Sequence, residues 1–370
     1  MGQSPASRLN VLLRSVVLAS VRIQNFRAFS DFKVEGLARL NLLIGRNGSG
    51  KTTLLEALFL LLGAHNPEIP VRLNVLRGTQ PFAPEPDDTW GWLFRDKLTR
   101  SPIVVEATQD DGTTANLELS LDPGVAVLRA PGDKATLSGP GPAGSHTTGP
   151  ARRLVLRFTR NGQQIDSSAY HAGDRVELQG AQTPAFPNSF FLSTHGRSPD
   201  EDARRFGMLE EAGRDNELVQ VLKTLEPRLK RLSVYLAGDR PALRADVGIG
   251  RLVPVAYLGE GFVRTVSMVL AATTAPNGCV LIDEFDNGLH YSVLPAVWAG
   301  LGDAIRSANA QLIATTHSRE CVAAAHGAAK SQLQYDLAVK RLERTERAVQ
   351  AVPYTQESLE TALSLDWELR

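Results

Sequence analysis

Residues 45–53, Gly45-Arg46-Asn47-Gly48-Ser49-Gly50-Lys51-Thr52-Thr53, fit the pattern G-x-x-x-x-G-K-[ST], and the chemistry such a run can do is to cradle phosphate. Glycines let successive backbone N–H groups turn inward around an anion, and the helix that follows offers its positive end to the same charge. In such a loop Lys51 bridges the β- and γ-phosphates and the Thr52 hydroxyl ligates Mg²⁺. A second candidate is the apolar run Cys279-Val280-Leu281-Ile282, which ends in Asp283 and Glu284. Hydrolysis of a phosphoanhydride needs both carboxylates: Asp283 to hold Mg²⁺, Glu284 to orient and deprotonate the attacking water. The run Gln311 to Ser318 contains His317, whose neutral imidazole can hydrogen-bond a γ-phosphate or that water. Upstream, Gly259-Glu260-Gly261 precedes the apolar stretch Val266 to Ala272 and can meet phosphate through its N–H groups. A plain helix start would look the same.

These residues need a scaffold that gathers them. Leu40 to Ile44 reads as a buried parallel strand, and Lys51 begins a run with helical spacing at Leu54, Leu55, Leu58, Leu61 and Leu62. In a parallel α/β sheet the C-terminal strand ends line the ligand crevice, which places Asp283, Glu284 and His317 beside the Lys51 loop. Val21 to Phe29 and Asp31 to Val34 read as the first strands, and residues 63–100 are broken by prolines. Residues 100–195 are β-rich: from Pro102 to about Gln179, with Ala126 to Arg129 among the strands and 132–149 as a flexible hairpin tip, the pattern predicts an antiparallel sheet beside the nucleotide core, and Phe190 to Thr194 reads as a separate short buried strand. Residues 198–236 read as helical, from Ala203, Phe206, Leu209, Val219, Leu222, Leu225 and Leu229. Leu294, Trp298, Leu301 and Ile305 share the core face of another helix. Residues 331–370 predict two strands and a terminal helix from Gln356. No long heptad run is present, which excludes extended coiled-coil arms.

Composition narrows the class. The 370 residues are 43% hydrophobic and 22% charged, an ordinary globular balance. Lys+Arg 40 against Asp+Glu 40 argues against a chain that coats nucleic acid electrostatically, though a local basic face stays open. Cys279 and Cys321 both lie in apolar runs, as buried thiols of a reducing compartment do. No segment is long and apolar enough to span a bilayer. The run Val11 to Ala19 loosely mimics a signal peptide, but Arg14 interrupts it, so 1–19 is read as a disordered extension or a mis-assigned start and the protein as cytoplasmic.

The order phosphate loop, glycine signature, "LIDEFDNGLH" and "ATTHS", with "RIQNFRAF" near the start, resembles the ABC-type ATPases of the RecF and OLD (overcoming lysogenisation defect) kind. Within these it is similar to the stand-alone, AAA-labelled ATP-binding proteins of bacteria, over about residues 20–370. The resemblance implies an α/β P-loop NTPase head with a mixed core sheet, an antiparallel β subdomain and a helical subdomain. The signature, acidic strand and histidine would fall within 250–320. It also implies ATP and Mg²⁺ as ligands and a homodimer in which ATP joins one subunit's Lys51 loop to the partner's Gly259, Glu260 and Gly261. The usual serine of that signature is absent here. Asp286 to His290 occupies the place of a segment that crosses the dimer interface in the family. An arginine at Gly261 is expected to block closure without disturbing the subunit's own fold. OLD-type nucleases carry a nuclease domain after the ATPase, whereas no second acidic metal cluster is found here, so an effector, in anti-phage defence or a stress response, would be a separate chain. A RecF-like repair ATPase that binds DNA across a closed dimer is the alternative, and a transporter motor fits least. The simplest expectation is that Lys51→Ala, which removes the charge facing the phosphates, abolishes or nearly abolishes ATP binding. Calorimetry checks this, and unchanged affinity contradicts the assignment.

Overall fold

Leu40 to Ile44 is apolar at four of its five positions, a pattern that a strand adopts only when both faces are covered. The computed structural model describes residues 17–80, 83, 86–125, 136–138, 151–172, 175–180, 188–194, 198–346 and 348–365, and in it this strand is buried throughout. A hairpin of β1 (Leu18–Phe26) and β2 (Phe29–Glu35) precedes it, and β3 (Leu40–Ile44) runs through the glycine loop into α1 (Lys51–Leu62). After α2 (Ile69–Leu76) and the single turn α3 (Pro86–Thr89) come β4 (Ile103–Gln109), β5 (Thr114–Val125), β6 (Thr136–Ser138), β7 (Ala151–Arg160), β8 (Gln163–Ala172) and β9 (Arg175–Gly180). Next are β10 (Ser189–Leu192), α4 (Pro199–Glu211), α5 (Asp215–Leu222), β11 (Arg231–Ala237), β12 (Arg240–Asp246) and β13 (Val253–Pro254). The chain continues with α6 (Glu260–Thr273), β14 (Cys279–Ile282), α7 (Leu294–Ser307), β15 (Gln311–Thr315) and α8 (Arg319–Lys330). It closes with β16 (Leu337–Arg344), β17 (Val349–Tyr354) and α9 (Gln356–Ser364).

The core sheet has the order β10-β14-β15-β3-β16-β17, parallel except for the last pair. Its strands alternate between two hydrophobic clusters. Leu42, Ile44, Val280, Ile282, Leu312 and Ala314 face the helices α4 to α8. Leu43, Leu281 and Ile313 face α1 and the antiparallel sheet β2-β1-β4-β5-β7-β8-β9-β6. Helix α1 is therefore enclosed, and every residue of it except Thr52 is buried. A helix covered on all sides is apolar all round, which its Leu-rich sequence satisfies. The core is tied to the first strand by Gln311, whose fully buried amide accepts from the Leu18 N–H and donates to the Leu18 and Ala38 carbonyls at 2.8–2.9 Å.

Two expectations are corrected. The helical reading of 198–236 holds for α4 and α5, but Arg231–Ala237 is a strand, paired antiparallel with β12. The antiparallel sheet expected over residues 102–179 is present, and the separate short strand after it, β10, joins the parallel core beside β14. The extension 1–19 ends too late, since Leu18 already belongs to β1 and is fully buried. Residues 1–16 of that extension, the Ala126 to Arg129 strand, and all of the 132–149 hairpin tip except β6 lie outside the described residues.

One charge lies inside α1. The Glu56 carboxylate, 1% exposed, accepts from Arg77 at 2.6 and 2.9 Å and lies 3.2 Å from Arg27 of the first hairpin's turn. Burial pushes the Arg27 guanidinium down to about 10, with Glu56 opposing. Removing one partner of a buried pair leaves the other uncompensated, typically at a cost of several kcal/mol. Glu56→Gln is expected to lower the unfolding free energy by about 3 kcal/mol in urea denaturation, and an unchanged midpoint would show that the pair contributes nothing.

Candidate active site

Two glycines shape the phosphate loop. Gly45 has φ +136°, and a Cβ there would stand 2.4 Å from the Leu342 carbonyl oxygen of β16. Gly50 has φ +100°, and a Cβ there would meet the Phe29 ring at 2.8 Å. Phe29 is itself stacked on Phe32 at 4.3 Å between ring centroids, so the "NFRAF" turn buttresses the loop from below. Arg46, Asn47 and Gly48 are exposed, whereas Ser49, Gly50 and Thr53 are buried. The Lys51 ammonium, 5% exposed, donates to the Gly45 and Arg46 carbonyls at 2.8 and 3.1 Å. Desolvation lowers its pKa from 10.5 to about 8, with Asp283 and then Glu284 pulling the other way.

The register of the parallel strands brings the acidic pair to this loop. Ile282 pairs with Ala314, and Ala314 with Leu42, so β14, β15 and β3 end at one edge. The Thr52 hydroxyl lies 2.9 and 3.1 Å from the two Asp283 carboxylate oxygens, and the Thr315 hydroxyl donates to one of them at 2.7 Å. Thr315 also accepts from the Glu284 N–H at 2.8 Å. Glu284 adopts φ +48°, a left-handed conformation that costs a side-chain-bearing residue about 1–3 kcal/mol unless its surroundings hold it there. Arg264, 3% exposed and one turn into α6, supplies much of that hold by donating to the Asp283 and Glu284 carbonyls at 2.5 and 2.7 Å. On the other side Phe285, fully buried, stacks on Trp298 at 4.1 Å.

A hydroxyl and a carboxylate at hydrogen-bond distance form a hard oxygen pair. Mg²⁺ takes such a pair while keeping waters and phosphate oxygens as its other ligands. The donor set at Thr52 and Asp283 therefore fits that ion. His317 stands two residues beyond β15, half-buried, after Thr316, whose hydroxyl bonds Asp286. Lys51, Thr52, Asp283 and Glu284 thus share one edge. Glu260 and Gly261 lie instead against the 286–290 segment of their own chain, and Gly259 is exposed before them. A Cβ at Gly261 would stand 2.5 Å from the Gly288 carbonyl oxygen, and Glu260 packs on Gly288. This overturns the expectation that an arginine at Gly261 leaves the subunit undisturbed.

Thr315 and Arg264 were not singled out in the sequence. Thr315 was visible as a polar residue ending an otherwise apolar strand, and Arg264 as one charge in a helix of Val, Met, Leu and Ala. Both act across long chain separations, which spacing alone does not reveal.

With that geometry in place, similarity to known proteins is informative. The family described as "AAA domain, putative AbiEii toxin, Type IV TA system" matches residues 40–323. An ATP/GTP phosphatase of Helicobacter pylori is 25% identical over 340 residues, 83% of this chain and 86% of the relative. The DNA replication and repair protein RecF of Mannheimia succiniciproducens is 41% identical over 66 residues, 18% of each chain. The DNA double-strand break repair Rad50 ATPase of Archaeoglobus fulgidus is 46% identical over 43 residues, 12% of this chain and 5% of the relative. Among solved structures, the SMC head bound to the C-winged helix domain of ScpA matches with a TM-score of 0.51 at 12% identity. That match spans 93% of this chain and 99% of the other, and it gives the fold.

Arg264→Met removes both bonds to the loop carbonyls while keeping an unbranched apolar stem. Nucleotide affinity is expected to change by less than about threefold and turnover to fall by roughly tenfold or more, as for an outer-shell positioning group. Affinity by calorimetry and steady-state phosphate release separate the two, and unchanged turnover would remove Arg264 from the site.

Proposed function

The chain belongs to this AAA-domain family, and from that premise we propose that it is an ABC-type ATPase whose nucleotide cycle gates a separate effector through an ATP-dependent homodimer. The observation that carries the hydrolytic reading is the meeting of Thr52, at the end of the phosphate loop, with Asp283, at the end of β14. In this reading residues 45–53 wrap the β- and γ-phosphates, and Lys51 exchanges its two loop carbonyls for phosphate oxygens. Thr52 and Asp283 would hold Mg²⁺, which would supply positive charge against those oxygens. Glu284 takes a proton from water as its oxygen bonds the γ-phosphorus. The bond to the β,γ-bridging oxygen then breaks, leaving ADP and phosphate. His317 hydrogen-bonds the same phosphate. The likeness to an ATP/GTP phosphatase over most of both chains supports this chemistry.

In ABC-type heads ATP is shared between two subunits, so Gly259, Glu260 and Gly261 would touch nucleotide only in the partner. Arg264 lies in the same helix as those residues and holds the Glu284 carbonyl, which supports a link between closure and hydrolysis. A defence or stress role draws on the family description, which names a putative AbiEii toxin and a Type IV TA system. Among the described residues no cluster of three or more His, Cys, Asp or Glu could serve a second, metal-dependent activity. No helix among them is long and apolar enough to cross a membrane. The RecF-like alternative draws on the 66-residue likeness to that protein. ATP-dependent DNA binding at two salt concentrations would separate it from the effector reading.

Glu284→Gln keeps the side chain's size and removes the base. ATP is expected to bind this variant with near-normal affinity while turnover falls about a hundredfold or more. Normal hydrolysis would place the base elsewhere. In the same background, mass in solution should rise with ATP and not with ADP. Glu260→Arg should block that gain, being exposed where Gly261 is crowded. A monomer under every condition defeats the shared-nucleotide part. Lys51 adds a pH signature: bound phosphate stabilises its charged form, so the complex holds a proton that the free protein, with its value near 8, gives up. Affinity is therefore flat below about pH 8 and falls above it, by up to about tenfold per unit, until the bound-state value is reached. A dissociation constant that does not rise between about pH 8 and 10 contradicts a lysine–phosphate contact.

A further inference from the structure

On the side of the loop away from Asp283, residues 46–49 and 341–345 line a cleft of about 460 Å³. Strand order accounts for its position. β15 and then β14, with Thr315 and Asp283, lie to one side of β3, and β16 lies to the other. β16 outruns its neighbour: Arg341 pairs with Ile44, and Leu342, Glu343 and Arg344 continue alongside the loop. The Leu342 carbonyl packs against Gly45, and the Arg344 guanidinium reaches within 3.5 Å of the Gly48 carbonyl. A triphosphate whose γ end faces Asp283 and Glu284 must send its ester end the opposite way, across β3 toward β16. The cleft opens there, and its volume lies within the range of small-molecule sites.

We propose that this cleft receives the nucleoside of the bound nucleotide, with Arg344 lying against the base, and that it accepts adenine and guanine alike. The proposal rests on the ATPase reading and specifies its substrate side. A guanidinium plane stacks on any base, since every base has a π-face. Strong discrimination between bases needs buried donors and acceptors fixed against the base edge, because only those are left unpaired by the wrong partner. Here Arg46, Asn47, Arg344 and Thr345 are exposed, Glu343 is half-buried and engaged with Arg341, and among the described residues no aromatic ring lines the cleft. Arg46 belongs to the phosphate loop itself, and Arg341 is held by Glu343 and by the Tyr354 ring, 6.0 Å from its guanidinium carbon, so Arg344, on the strand beyond the loop, is the side chain disposed to cover a base.

The test titrates ATP, GTP and inorganic tripolyphosphate, each with Mg²⁺, into the full chain and into Arg344→Ala, an exposed position whose truncation spares the core. Wild type is expected to bind ATP and GTP within about threefold of each other. Arg344→Ala should weaken both by roughly tenfold, a typical loss for one stacking partner, and leave tripolyphosphate within about twofold. Equal weakening of tripolyphosphate would make Arg344 a phosphate contact and overturn the assignment. ATP affinity unchanged in Arg344→Ala would also overturn it. A preference above about a hundredfold for either purine would overturn the base indifference. If wild type binds neither tripolyphosphate nor ATP, the ATPase reading itself fails, a result distinct from the failure of the cleft alone.

Discussion

The Asp283 carboxylate, bonded by the Thr52 and Thr315 hydroxyls, is the point on which the rest of the molecule depends. Its two partners come from separate elements, and Thr52 lies 231 residues away in sequence. They meet only if β14, β15 and β3 stay parallel and in register. That arrangement in turn requires cover on both faces, because a parallel sheet of apolar strands exposes too much surface otherwise. Helices α4 to α8 supply one face. On the other, α1 and the antiparallel sheet do so, which is why α1 is apolar on nearly every side.

Much of this was legible in the sequence, for a physical reason. Buried parallel strands read as largely apolar runs, and β3, β14 and β15 are such runs, with the phosphate loop, the acidic pair and, two residues on, His317 after them. Local pattern and global position agree there. They disagree at residues 223–237, where Leu225 and Leu229 continue a helical spacing although the chain has already left α5. The alternation Leu232, Val234, Leu236 carried the strand signal but was short and half exposed. Contacts such as Arg264 to Glu284, or Gly261 to Gly288, join segments whose separation no periodicity encodes.

The loop at Asp283 and Glu284 is held from three directions: Thr315 from β15, Arg264 from α6, and Trp298 of α7 behind Phe285. The left-handed turn at Glu284 persists because these contacts over-determine it. Strain kept at the residue proposed as base fits a preorganised site, in which the carboxylate need not search for its position. The same loop continues into Asp286 and Gly288, where it meets the start of α6. A displacement of α6 by a second subunit would therefore act directly on the loop that carries Glu284.

The central claim is that loop and strand end form one nucleotide–metal site, and metal binding tests it most directly. Mn²⁺, a spectroscopic substitute for Mg²⁺, can be titrated in the presence of ATP and followed by paramagnetic resonance. Protein-bound Mn²⁺ is expected to show phosphorus couplings, with affinity falling by at least about tenfold in both Thr52→Val and Asp283→Asn. Equal Mn²⁺ affinity in wild type and both variants would contradict the claim.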